Sequence, residues 1–279
     1  MESTQIVKLK NVKLSELQTA FKRSLSIGGE TLNFKITPTS ITNVAEHSSQ
    51  SLYKKWELSL GDVCDSVDGQ FRELKVAIYS GNEFVSKILG FFGQLADLEI
   101  QHENGNVNKI NIIKLDEKGK RLLRIALVTA SVTSSYKEID SDMVSNIFNP
   151  DMETKASLIL SPDDLKQLNN LAKLTTNPEE QTNYITIKSE NGQLVATDGA
   201  FDIALRDRTE ELDAIEIDKE LFSCIEHENY TASVYDLGES GMLLLNSENS
   251  NSQIAVVLLS DADDSVSWDD FETDTNWDN

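Results

Sequence analysis

Short apolar or alternating stretches break off into polar turns and then into amphipathic runs, and this order recurs four times along the chain. Gln5 to Leu9 is followed by LSELQTAFKRSL, where Leu14, Leu17, Phe21 and Leu25 recur at helical spacing. LKVAIY, Leu74 to Tyr79, leads into SGNEFVSKILGFF, with Phe84, Ile88 and Phe92 expected on one face. ASLIL, Ala156 to Leu160, leads into SPDDLKQLNNLAKL, where Ser161 suits an N-cap, Pro162 the first helical position, and Asp163 and Asp164 the positive end of the helix dipole. DAIEI, Asp213 to Ile217, leads through Asp218 as a cap into KELFSCI, with Leu221, Phe222 and Ile225 apolar.

Strand pairs follow each helix. LEIQHENGNVNKINIIK turns at Asn104 and Gly105, and YITIKSENGQLVATD at Asn191 and Gly192, the pair that favours a type I′ hairpin turn. The last unit turns between Asp236 and Gly241 and ends in the apolar strand SQIAVVLLS. The first unit is the least regular: LNFKIT, a turn at Pro38 to Ser40, and KKWELSL, with the polar stretch Glu46 to Ser51 between them. With 279 residues, enough for two domains of ordinary size, the pattern predicts an α+β chain. Its expected parts are residues 1–134, an aperiodic connector over 135–155, residues 156–262, and a tail over 263–279 too acidic and polar to fold.

Composition narrows the function. No apolar run approaches the roughly 20 residues of a membrane span, and the opening MESTQIVKLKNVKL lacks the apolar stretch of about 7 to 15 residues found in secretory signals, so a cytoplasmic protein is expected. Cys64 and Cys224 stand apart with no metal-ligand spacing, which predicts reduced thiols. His47, His102 and His227 share no motif; Glu226 and Glu228 beside His227 read as a solvated polar cluster. Asp62, Asp65 and Asp68 in GDVCDSVDG lack the ligand alternation of a calcium loop and read as a loop. Without a GxSxG, HExxH or phosphate-binding glycine loop, neither an enzyme nor a cofactor or metal is expected.

The net charge of −22 argues against a protein that grips phosphates through a basic surplus. Eight acids and no Lys or Arg fall in the last 19 residues, and setting those aside leaves −14 for residues 1–260. What matters for nucleic acid is whether the remaining bases gather on one surface.

The twice-repeated pair of units resembles the organisation of the DNA sliding clamps, and within them the trimeric clamps of T-even-type bacteriophages. The likeness is carried by LKVAIYSGNEFVSKILGFFGQLADLEIQHENGNVNKINI, by LILSPDDLKQLNNLAKL with YITIKSENGQLV, and by SQIAVVLLSDADD. It is weak from Glu30 to Gln70 and stops at Asp264. The resemblance implies a homotrimeric ring closed head to tail through edge strands. Helices would line its hole and sheets would form its outside. It also implies duplex DNA inside, held without sequence preference, and a polymerase and a clamp loader docked through short peptides.

On that reading Lys22 and Arg23 on the first helix, Lys87 on the second, Lys166 and Lys173 on the third, and Lys219 on the fourth would face DNA, each with the alternative of an ordinary solvated helix face. On the third helix Leu165, Leu168 and Leu171 or Ala172 form the opposite, buried stripe. Met143, Val144, Ile147 and Phe148 are candidates for the rim of the partner-peptide pocket; equally, Ile147 and Phe148 could pin the connector to the core. Trp268, Phe271 and Trp277 mark the tail as a docking peptide, an internal competitor for that pocket, or a solubilising extension. Two other classes fit parts of the pattern: a phage structural or scaffolding protein, and a single-stranded DNA-binding protein with an acidic tail, which would need stacking aromatics on a basic groove.

Overall fold

The computed structural model describes residues 4–128, 136–175, 181–207, 211–237 and 240–259. Trp268, Phe271 and Trp277 lie outside the described residues. The chain divides into two compact units, Met1–Glu46 with Lys54–Ile147, and His47–Tyr53 with Phe148–Asn279.

In the first unit β1 (Gln5–Lys13) runs directly into α1 (Leu14–Leu25). Leu14, Leu17, Phe21 and Leu25 are buried, as their spacing predicts, and Ala20 joins them. Each fully buried large side chain contributes roughly 1.5–3 kcal/mol. Phe21 anchors the helix, with its ring centroid 4.8 Å from that of Phe34, 5.8 Å from Trp56 and 6.2 Å from Phe84. A buried polar chain completes the contact: Trp56 Nε1–H donates to Ser24 Oγ at 2.6 Å, and that hydroxyl donates to Asn43 Oδ1 at 2.7 Å.

Next come β2 (Leu32–Ile36), β3 (Ser40–Glu46) and β4 (Leu52–Ser59). The polar composition of SITNVAE hides β3 from a periodicity reading. A second correction concerns GDVCDSVDG, which holds the short α2 (Leu60–Val63) and β5 (Ser66–Asp68) rather than a plain loop. β5 covers the edge of β1, with Lys8 opposite Asp68 and Lys10 opposite Ser66. Strand pairing supplies the energy here, and a three-residue strand carries no period of its own.

After β6 (Leu74–Ile78) the second helix is built in three pieces: α3 (Gly81–Glu83), a π-helical run (Phe84–Leu89) and α4 (Gly90–Phe92). The wider i→i+5 turn moves the buried face, so that Leu89 is buried with Phe84 while Ile88, expected from α-helical spacing, is only half-buried. β7 (Leu95–Glu103), β8 (Asn106–Leu115) and β9 (Arg121–Val128) close the unit in the sheet order β4-β3-β2-β6-β8-β7-β1-β5, with β9 on β8.

Where the aperiodic connector is expected, α5 (Ser141–Phe148) forms. Asp140 Oδ1 accepts the backbone N–H groups of Asp142 and Met143 at 2.9 and 3.0 Å, a side-chain cap that starts a helix of two turns.

The second unit opens on β10 (Ala156–Leu160) and α6 (Pro162–Ala172). Its capping box is complete: Asp164 N–H donates to Ser161 Oγ at 3.3 Å and Ser161 N–H to Asp164 Oδ2 at 2.7 Å. The strands β11 (Tyr184–Glu190), β12 (Gln193–Thr197), β13 (Asp202–Asp207) and β14 (Ile215–Asp218) form one sheet in the order β13-β12-β11-β14. A 3₁₀ helix (Lys219–Cys224) stands where the fourth α-helix is expected, capped by the Asp218 carboxylate, which accepts Glu220 N–H at 3.0 Å. β15 (Tyr230–Asp236), β16 (Gly241–Ser247) and β17 (Ser252–Leu258) join β10 in the order β10-β15-β16-β17.

Both Asn-Gly hairpins form as two-residue turns. Glu103 faces Asn106, Glu190 faces Gln193, and the φ values are +51° and +85° at Asn104 and Gly105, and +51° and +79° at Asn191 and Gly192. Type I′ geometry needs positive φ at both positions, which Asn tolerates and Gly adopts freely.

Candidate nucleic-acid interface

Each unit pairs two helical segments. In the first, α1 packs on the π-helical run, and Gln18 Nε2 donates to the Val85 carbonyl at 3.1 Å. In the second, α6 packs on the 3₁₀ helix. The basic residues singled out in the sequence fall on these segments or just after them.

Lys22 on α1, and Lys166 and Lys173 on and just after α6, are exposed and form no ion pair among the described residues. Arg23 is half-buried. Lys87 is exposed and bridges Glu83 one turn earlier at 3.1 Å. Lys219 requires a correction. Its amine lies 2.8 Å from Asp198 Oδ2, with the lysine side chain 15% and the aspartate 0% exposed. Burial pushes the Asp198 carboxyl up, but the hydrogen bonds of Lys219, the Phe201 N–H, Gln181 and the Ala200 N–H outweigh it and hold the acid below its ordinary value. Lys219 therefore neutralises an internal charge and leaves the set of surface bases.

Acids share these surfaces. Glu16 lies in the first turn of α1, Asp163 in the first turn of α6 and Glu220 in that of the 3₁₀ helix. Bases stand near the C-terminal ends of α1 and α6 and acids near the N-terminal ends, the placement that helix dipoles favour by themselves. The helical surfaces thus carry scattered single lysines and no dense basic patch.

The stretch before α5 is tied down firmly. Glu138 accepts Lys35 Nζ and Lys75 Nζ, each at 2.6 Å, and those hydrogen bonds hold its carboxyl at about 2. Tyr136 lies against both amines, 5.9 and 5.8 Å from its ring centroid, and burial pushes its hydroxyl well above the ordinary value. Lys137 adds a bridge to Glu46 at 2.7 Å. No feature of the local sequence marks this anchor, because its three partners come from β2, β6 and the end of β3. Farther on, Met143 and Val144 are half-buried, while Ile147 and Phe148 are each 1% exposed.

Among the described residues no group of His, Cys, Asp and Glu could hold a metal ion. No helix among them is long and apolar enough to cross a membrane.

No protein-family model and no curated protein matches the sequence. Solved structures do match. The proliferating cellular nuclear antigen of Entamoeba histolytica aligns at a TM-score of 0.62 with 14% identity, over 93% of this chain and 100% of that one. PCNA from Thermococcus kodakaraensis aligns at 0.60 with 11% identity, over 91% and 99%. DNA polymerase III subunit beta from Borrelia burgdorferi aligns at 0.57 with 12% identity, over 91% of this chain and 64% of that one. This chain has the DNA-clamp fold. The strand, helix and hairpin order expected from the sequence is the order of that fold, and the mixed α+β class holds. Identities this low establish the clamp architecture and nothing finer.

Proposed function

We propose that the chain is a DNA sliding clamp of the phage type: a homotrimeric ring that encircles duplex DNA, tethers a replicative polymerase and catalyses no reaction. The observation that carries this reading is a match to the clamp fold along more than nine tenths of the chain. The phage assignment rests on the sequence segments from Leu74 to Ile112 and from Leu158 to Leu174.

Strand edges support a head-to-tail ring. β9 pairs only with β8 and β13 only with β12 among the described residues, so each of these two strands has an open edge. Arg121 and Arg124 are exposed on β9, and Asp202 and Asp207 on β13. Antiparallel addition of β9 of one copy to β13 of the next sets the start of one strand by the end of the other, which brings Arg121 towards Asp207. Leu122, 62% exposed, would be covered there.

Lys22, Arg23, Lys87, Lys166 and Lys173 would then screen phosphates weakly, as a ring that moves over every sequence requires, while the acidic remainder of the surface discourages DNA from binding elsewhere. Polymerase and loader peptides would dock beside Met143 and Val144, with Ile147 and Phe148 holding that segment in place. Trp268, Phe271 and Trp277 would dock a partner.

Sedimentation together with DNA retention tests the ring. A trimer is expected that stays on circular duplex after loading and is lost when the circle is cut; a monomer, or equal retention on linear and circular DNA, would overturn the reading. Removal of residues 264–279 should leave the trimer intact and change affinity for one partner; unchanged affinity for every partner would rule out a docking tail.

A further inference from the structure

Along β1 of the first unit, bases meet acids of β7. Lys8 bridges Glu99 at 3.1 Å and Lys10 bridges Asp97 at 2.9 Å. The next base on that face, Lys13, stands opposite Leu95 instead. Asp97 pairs with Ile113 on β8, so Leu95 and Leu115, each two positions farther along, fall side by side on the same face. Their strand neighbours Val12 and Ala96 point into the core, and Lys13, Leu95 and Leu115 therefore point away from it. Leu95 is 50% and Leu115 37% exposed, and half-buried Ile113 extends the apolar strip.

Cations surround this strip, and few acids are at hand to neutralise them. Residues 109–124 hold six bases and two acids, in a chain whose net charge is −22. Lys118 and Lys120, exposed in the turn that joins β8 to β9, make no ion pair among the described residues, and neither does Lys13. Arg124, opposite Ile113, donates to the neutral Asn111 Oδ1 at 2.8 Å, so its charge stays uncompensated. Asp97 is committed to Lys10 and the Asn11 N–H, and Asp116 to the backbone N–H groups of Lys118 and Lys120. Glu117 is the one acid of the turn without such a bond among the described residues. An apolar centre inside a charged rim is the anatomy of a protein-docking surface. A phosphate backbone gains nothing from exposed leucines, which favours an acidic polypeptide over a nucleic acid.

We propose that this face of the first unit docks an acidic segment of a partner protein. One or two large apolar side chains of that segment sit on Leu95, Ile113 and Leu115, and its carboxylates are received by Lys13, Lys118, Lys120 and Arg124. Charge complementarity selects the partner: carboxylates that reach the rim find lysines with no competing ion pair. Arg121 and Leu122 stand at the β9 edge, where the ring junction is proposed, and the docking face needs neither. The face is built within one unit, so the inference does not depend on ring formation.

The test uses the full chain with ¹³C-methyl-labelled leucine and, as probe, a synthetic dodecapeptide of aspartate and glutamate with two central leucines. The probe should shift the Leu95 and Leu115 methyl resonances and lose affinity as salt rises. It should bind at least tenfold more weakly to a Lys118→Ser, Lys120→Ser double variant. A dodecapeptide with serine in place of its leucines should also bind the unaltered chain at least tenfold more weakly. Both substituted lysines are exposed, so the variant should fold as before, with an equal urea midpoint as the check. Absence of binding, or binding that ignores either the lysine or the leucine substitutions, would overturn the site. Duplex DNA of equal charge that shifts the same methyls and matches the probe's affinity would overturn a protein as the occupant. In the chain labelled with 5-fluorotryptophan, movement of the Trp268 or Trp277 resonance in the double variant would place the chain's own stretch 261–279 on this face and overturn a separate partner.

Discussion

Asp198 is fully buried and accepts hydrogen bonds from Lys219, Gln181 and the backbone N–H groups of Ala200 and Phe201. An acid held this way tolerates burial only while every partner is present. Asp198→Ala leaves the Lys219 ammonium, 15% exposed, without its counter-charge, and should destabilise the second unit by about 3–5 kcal/mol in urea denaturation. Glu138 is a different case, with its side chain 47% exposed, so its bonds act on position more than on stability. Its carboxyl is lowered from 4.5 to about 2 by Lys35 and Lys75. Folding therefore favours the ionised form, and the anchor is complete above about pH 4.5 and lost as pH falls towards 2. A ¹³C titration should place the Glu138 midpoint near 2 in the native chain and above 4 in a Lys35→Met, Lys75→Met double variant. Neither partnership is visible in the sequence: Lys219 looks like any base at the start of a helix, and Glu138 stands among polar residues with no periodic signal.

At the scale of elements, local chemistry decides some segments and packing the others. The α6 capping box is local, since Ser161, Pro162 and Asp164 all lie within one turn, and it is legible as a helix start. Ser161→Ala should cost about 1 kcal/mol, read as a lower urea midpoint with an unchanged m-value. The two Asn-Gly turns are legible for the same reason. The second helix is only half legible. Its existence follows from the spacing of Phe84, Ile88 and Phe92, but its π-helical run follows from packing against α1 and the sheet, which takes Leu89 into the core in place of Ile88. α5 is too short for a period to emerge, although Asp140 four positions before Val144 is a cap signal that a closer reading could use. β5 gains its stability from β1, more than fifty residues away in sequence.

On the scale of the whole molecule, the open edges of β9 and β13 are the proposed sites of assembly. If they join copies head to tail, like charges placed across the junction should open it and exchanged charges should close it again. Arg121→Glu alone, or Asp207→Lys alone, is expected to weaken trimer formation at least tenfold by sedimentation velocity, and the double variant to recover most of it. Failure of the double variant to recover would place the junction elsewhere.

The sequence by itself determined the recurring strand, helix and hairpin order, the buried stripes of α1 and α6, the capping of α6 and the 3₁₀ helix, and the type I′ turns. Each depends on residues within a few positions of one another, where spacing and backbone preference act directly. Tertiary structure alone decided that Lys219 serves Asp198, that Glu138 holds Lys35 and Lys75, that Leu89 replaces Ile88 in the core, and that His102 is buried with its Nε2 unpartnered among the described residues. A charge or a buried donor is assigned by whatever the fold brings within hydrogen-bond reach, and that distance is not written in any local pattern.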